Sequence, residues 1–196
     1  MSVSSPLDSV RFLTSESKPR FLGECSAEVA FVGRSNVGKS TLINAVCRKA
    51  LARTSNTPGR TRTINVFEAG HGRWLVDLPG YGYAAGPKEE REAWGPMIET
   101  YLQGRPNLKM VFCLVDAKVG PTKLDLMMLS WLEDAKLPWR VVATKTDQVK
   151  TAKGPAQRRD IAHAIGVQSE DVLWVSAREG YGVRELRGEV SAFLGL

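Results

Sequence analysis

Short apolar runs and helical stripes alternate along this chain. Ala27-Glu28-Val29-Ala30-Phe31-Val32, Trp74-Leu75-Val76, Met110-Val111-Phe112-Cys113-Leu114-Val115 and Arg140-Val141-Val142-Ala143 are brief and mostly apolar, as strands covered on both faces should be. A further strand is predicted from Asp171 to Val175. Between these runs, apolar residues recur at helical spacing. One stripe is Leu42, Ile43 and Val46, and another is Ala93, Trp94, Met97, Ile98, Tyr101 and Leu102. Leu124, Met127, Met128, Trp131, Leu132 and Ala135 make a third, and Val183, Leu186, Val190 and Phe193 a fourth. The alternation predicts an α/β fold of three layers, a mostly parallel sheet with helices on both faces. Ligands in such folds bind at the carboxyl ends of the strands.

The polar segments at those ends carry the chemistry. Gly33-Arg34-Ser35-Asn36-Val37-Gly38-Lys39-Ser40 is a complete G-x-x-x-x-G-K-S phosphate loop between a predicted strand and a predicted helix that continues through Thr41. Its backbone N–H groups can wrap a diphosphate, Lys39 can reach the β- and γ-phosphates, and the Ser40 hydroxyl can ligate Mg²⁺. Thr144-Lys145-Thr146-Asp147 follows another strand. A carboxylate at Asp147 can accept from both N1–H and the 2-amino group of guanine, and adenine offers neither donor. Such a site can reject the wrong base by roughly 10⁴–10⁵. Val175-Ser176-Ala177 ends the next strand, and the Ala177 N–H suits guanine O6. Asp77-Leu78-Pro79-Gly80 ends the strand before, where the carboxylate can hold a Mg²⁺-bound water and the Gly80 N–H can meet the γ-phosphate. Thr57-Pro58-Gly59-Arg60-Thr61-Arg62-Thr63 is polar and turn-rich, and GTP can order such a segment through a threonine hydroxyl on Mg²⁺. Thr61 is the preferred ligand, with Thr57 and Thr63 left open by spacing.

Together Gly-Arg-Ser-Asn-Val-Gly-Lys-Ser, Thr-Pro-Gly-Arg-Thr, Asp-Leu-Pro-Gly-Tyr-Gly-Tyr-Ala, Thr-Lys-Thr-Asp and Ser-Ala resemble the EngB (YihA/YsxC) family. These are bacterial P-loop GTPases linked to assembly of the large ribosomal subunit. The resemblance spans about residues 20–196 and implies a G domain that hydrolyses GTP to GDP and phosphate. It also implies that Gly59, Arg60, Thr61, Arg62 and Thr63 contact GTP, with Ser40 and Thr61 on Mg²⁺. The implied partner is the large ribosomal subunit or its precursor, rRNA included, with a role in normal cell division and septation. Arg62 stands where the family often has glutamine.

At 196 residues and 43% hydrophobic, the chain has room for one well-packed domain, predicted over 21–196. Residues 1–20 are Ser-rich with Pro6 and Pro19, and a loosely held leader is expected there. The net charge of +6 suits a polyanionic partner. Arg48 to Arg62 is the better candidate for RNA contact, ahead of Lys150, Lys153, Arg158 and Arg159. Cys25, Cys47 and Cys113 form no C-x-x-C pattern and read as buried thiols, and His71 and His163 read as surface residues. No apolar run approaches membrane-span length and the N-terminus lacks a signal-peptide pattern. The expectation is a cytoplasmic monomer without membrane contact.

Many GTPases place glutamine after Asp-x-x-Gly to orient water; here that residue is Tyr81. Slow intrinsic hydrolysis is expected, with Lys39 and Thr61 supplying charge and positioning and a partner or cation completing the site. Asn36 can help hold K⁺ beside the β- and γ-phosphates, or it serves only the loop turn. Arg34 and Arg60 are weaker candidates for an internal arginine finger. Threonine at 144 lacks the amide that asparagine would use to tie base loop to phosphate loop, which predicts weak nucleotide binding. Two alternatives are a P-loop kinase and a nucleotide-gated binding module with negligible hydrolysis.

Overall fold

Each predicted apolar run becomes a strand, and the strands line up so that their carboxyl ends share one edge. The computed structural model describes residues 5–52, 63–82 and 95–196. The strands are β1 (Arg11–Glu16), β2 (Ala27–Gly33), β3 (Ile64–Glu68), β4 (Arg73–Asp77), β5 (Leu108–Asp116), β6 (Trp139–Thr144) and β7 (Leu173–Trp174). They form one sheet in the order β1-β3-β4-β2-β5-β6-β7. Neighbours from β4 to β7 are parallel, while β1–β3 and β3–β4 are antiparallel. Phe31 pairs with Asp77, Gly33 with Leu114 and Asp116 with Thr144. That register brings the ends of β2, β4, β5 and β6 to one rim.

The α-helices are α1 (Lys39–Cys47), α2 (Gly95–Gly104), α3 (Lys123–Asp134), α4 (Gly154–Ile165) and α5 (Val183–Leu194). Alternate residues of β2 face opposite layers, as strand geometry requires. Val29 and Phe31 join Leu42, Ile43 and Val46 of α1 and Leu186 and Val190 of α5. Ala30 and Val32 join Ile98, Tyr101 and Leu102 of α2 and Met128 and Leu132 of α3. Fully buried residues such as Phe31 and Leu42 contribute about 1.5–3 kcal/mol each. At the rim away from the carboxyl ends, the fully buried Glu28 accepts from Tyr101 Oη at 2.8 Å and Arg105 Nε at 2.6 Å, which anchors α2 to β2. The expected stripe positions Ala93 and Trp94 lie outside the described residues.

Two expectations need correction. The loosely held leader expected over 1–20 is, over its described part from 5 to 20, built into the fold. β1 pairs along β3, Leu7 and Val10 are fully buried, and the buried Arg187 of α5 bonds both the Val46 carbonyl and Asp8, at 2.8 Å for the latter. Likewise, Asp171 closes a 3₁₀ turn, and only Leu173 and Trp174 pair with β6.

The cysteines are free and buried, and burial pushes the Cys25 and Cys47 thiols up to about 11 and about 12. His71 and His163 are exposed. Among the described residues, no helix is long and apolar enough to cross a membrane.

Candidate nucleotide site

The phosphate loop leaves the end of β2 and feeds α1. Asn36 turns at φ 64° and Gly38 at φ 99°. The second of these is a backbone state that side chains with Cβ rarely adopt. α1 therefore begins at Lys39 with its free N–H groups and positive dipole end turned to the loop. Lys39 is buried, and its ammonium pairs with the buried carboxylate of Asp77, the last residue of β4. Ser40, half-buried, occupies the first turn beside it. The Asp77–Gly80 segment then crosses against the loop. Leu78 N–H donates to Phe31 O at 3.1 Å, and a Cβ placed on Gly80 would lie 3.0 Å from Ser35 Oγ and 3.1 Å from its backbone. A side chain there would push the phosphate loop back by a few tenths of an ångström.

The second half of the site hangs from β6 and β7. Thr144 is buried, and its hydroxyl bonds the carbonyls of Val37 at 2.7 Å and Val115 at 3.2 Å. The expectation that threonine leaves the base loop untied to the phosphate loop is therefore wrong. One hydroxyl serves where an amide was thought necessary, because β6 brings the Thr144 oxygen directly under the Val37 carbonyl. Lys145 adds a second tie, donating to Asn36 O and to Asp116 Oδ2, both at 2.7 Å. Ser176 Oγ donates to Asp147 Oδ1 at 2.7 Å and accepts from Glu179 N–H at 3.0 Å, which leaves the exposed carboxylate oriented before any ligand arrives. A cavity of about 180 Å³ opens between these loops, with Gly38 and Thr41 on one side and Lys145, Asp147 and Ala177 on the other.

The structure thus gathers Gly33 to Thr41, Asp77 to Gly80, Thr144 to Asp147 and Val175 to Ala177 around one rim. Within that set Val37, Leu78 and Val175 turn their side chains into the core and offer the site only backbone. Thr63 stands just before β3 with its hydroxyl 3.5 Å from Asn65 Oδ1. Gly59, Arg60, Thr61 and Arg62 lie outside the described residues. Sequence reasoning passed over Asp116, which ends β5 at the same rim and pairs with Lys145; its position at a strand's carboxyl end was the available signal. Tyr81, expected at the water-orienting position, is buried. Its phenol donates to Asp125 Oδ1 at 2.8 Å, and burial together with that carboxylate holds its pKa well above the usual tyrosine range. Arg34 turns toward the same carboxylate, Nε to Oδ2 3.3 Å.

Among the described residues, no cluster of three or more His, Cys, Asp or Glu could hold a metal unaided. One carboxylate and one hydroxyl facing a phosphate cradle is nevertheless the donor set that suits Mg²⁺, which keeps waters and shares substrate phosphates. Asp77 and Ser40 fit that ion.

A three-layer sheet whose phosphate loop, Asp-x-x-Gly turn and base loop meet at one rim defines a P-loop GTPase. The family model described as "50S ribosome-binding GTPase" matches residues 28–145. The probable GTP-binding protein EngB of Geobacter sulfurreducens is 46% identical over 89% of this chain and 86% of that protein. That of Pelobacter propionicus is 49% identical over 85% and 84%. The crystal structure of a probable GTP-binding protein engB superposes with a TM-score of 0.69 at 26% identity, covering 86% of this chain and 99% of that one. The chain belongs to the EngB family of GTP-binding proteins.

Proposed function

We propose that this GTPase is a switch in assembly of the large ribosomal subunit, docking in its GTP form and leaving after hydrolysis. The observation that carries the reading is the base loop. Asp147 is oriented for guanine by Ser176 and tied to the phosphate loop through Thr144 and Lys145. The family description and the net charge of +6 favour a ribosomal, RNA-rich partner. The exposed Arg48 and Lys49, with Arg53, Arg60 and Arg62 beyond the described residues, form the basic stretch proposed to meet it.

In this reading the amides of Gly33 to Lys39 cradle the phosphates and Lys39 exchanges Asp77 for phosphate oxygens. Gly80 N–H meets the γ-phosphate, and Ala177 N–H meets guanine O6. Ser40, Thr61 and, through water, Asp77 would hold Mg²⁺, which when bound neutralises charge on the β- and γ-oxygens. Tyr81 is spent on Asp125 inside the fold and has no part in orienting water, so unaided hydrolysis is slow. The missing group comes from the ribosomal partner or from K⁺ beside Asn36. Cytoplasmic residence as a monomer and a need in septation belong to the same proposal.

Phosphate release from GTP, with and without purified large subunits, in KCl and in NaCl, tests it. Stimulation by subunits is expected, and a K⁺ requirement abolished in Asn36→Ala assigns the cation. Phosphate release unchanged by subunits in either salt contradicts the assembly reading.

A further inference from the structure

Asp125 sits in the first turn of α3 and is 1% exposed. A carboxylate at that depth requires donors on both oxygens. Oδ2 accepts from the Thr122 backbone N–H at 2.8 Å and from its hydroxyl at 2.7 Å, an ordinary helix-start arrangement. Capping needs no more than that. Yet Oδ1 accepts from Tyr81 Oη, and Arg34 Nε approaches Oδ2 at 3.3 Å without completing a hydrogen bond. Tyr81 follows Gly80, and Arg34 is the second residue of the phosphate loop. One buried carboxylate, on a helix that contributes nothing to the nucleotide loops, therefore grips both chains that meet at the γ-phosphate corner.

The backbones beneath those side chains are laced together. Tyr81 N–H donates to Gly33 O at 3.3 Å, and Ser35 N–H donates to Tyr81 O at 2.9 Å. Gly80 lies in near contact with Ser35. A rotation of Tyr81 would carry Gly80 with it, because the two share a peptide bond and Gly80 has no side chain to anchor it.

We propose that Asp125 is a positioning residue for γ-phosphate recognition, setting through Tyr81 and Arg34 where the Gly80 N–H stands relative to the phosphate loop. The inference rests on the reading of Gly80 as the γ-phosphate donor. It makes a selective demand. The guanine contacts arise from Thr144 to Asp147, which Asp125 does not touch, and it meets the loop whose amides serve the β-phosphate only at the Arg34 side chain, without a hydrogen bond. Loosening the grip should therefore weaken GTP and spare GDP. A residue that merely capped α3 would affect both nucleotides alike.

The test uses full-length protein with Tyr81→Phe, Asp125→Asn and the pair, titrated in Mg²⁺ with GDP and a non-hydrolysable GTP analogue. Single-turnover hydrolysis is followed in parallel. Tyr81→Phe deletes one hydroxyl from a ring that stays packed, so it reports even where Asp125→Asn folds poorly. Expected is a loss of about tenfold in analogue affinity and hydrolysis for Tyr81→Phe, with GDP affinity held within about twofold. Asp125→Asn keeps one acceptor oxygen where the carboxylate has two, so either Tyr81 or Thr122 faces an amide N–H, and the charge that draws Arg34 is lost; it should lose at least as much. The double variant should be no worse than Asp125→Asn, because both changes open one network. Equal weakening of GDP and analogue, or no weakening in Tyr81→Phe, overturns the inference alone. Wild-type protein that binds no guanine nucleotide overturns the reading of the site and this inference with it.

Discussion

At the base end of the site, Thr144, Lys145, Asp147 and Ser176 already hold partners at 2.7 Å; at the phosphate end, the buried Lys39 and Asp77 hold each other. The base end is a finished socket. In the proposed reading guanine enters it with those side chains already oriented, so little ordering cost falls on binding there, and the contact is the same for GDP and GTP. The phosphate end must exchange an internal ion pair for ligand oxygens. Only GTP brings γ-phosphate oxygens to that end, so in the proposed reading any difference between the two nucleotide states arises there, because a ligand shifts an equilibrium only through unequal affinity for its states.

The largest expected effect strikes the socket. Asp147→Ala removes the only proposed acceptor for guanine N1–H and the 2-amino group. Preference for GTP over ATP should fall by about 10⁴-fold in competition binding. Stability should fall by only about 1 kcal/mol, since the side chain is exposed and its loss costs the buried Ser176 hydroxyl one acceptor. Next is Lys39→Ala, which leaves the Asp77 carboxylate buried without its cation. Nucleotide-free protein should lose about 3–5 kcal/mol in urea denaturation, and Lys39→Ala/Asp77→Ala should recover part of it. Equal stability losses for Asp147→Ala and Lys39→Ala would break the contrast between the two ends. The smallest is Thr144→Val, which strips two buried carbonyls of their shared donor. A loss of about 1–3 kcal/mol is expected, with faster GDP release, and Thr144→Ser should restore both.

How much of this was legible beforehand follows the distance over which each interaction acts. The phosphate loop is contiguous, so its glycines, Lys39 and the helix start could be read directly. Asp147 could be placed because a strand precedes it, and Asp77 likewise. Asp125 went unread, because its bond to Tyr81 spans 44 positions and depends on how α3 lies on the sheet. The Thr144 tie spans 107 positions and needs the sheet to close first. β1 was missed for a related reason. Arg11-Phe12-Leu13-Thr14-Ser15-Glu16 has no clean alternation, with Phe12 53% and Leu13 38% exposed. Its place is set by pairing to β3 and by Asp8 meeting Arg187, 179 positions away. Asp171 was read as strand from its neighbours' hydropathy, whereas a 3₁₀ turn ends there.

The most direct measurement is equilibrium binding of GDP and of a non-hydrolysable GTP analogue to the wild-type chain, each with Mg²⁺ and with the metal chelated. A finished socket beside an unfinished phosphate end predicts GDP affinity nearly indifferent to Mg²⁺ and analogue affinity falling about tenfold or more without it. Equal dependence of both nucleotides on the metal would contradict the division of labour, and with it the account of this site as a switch.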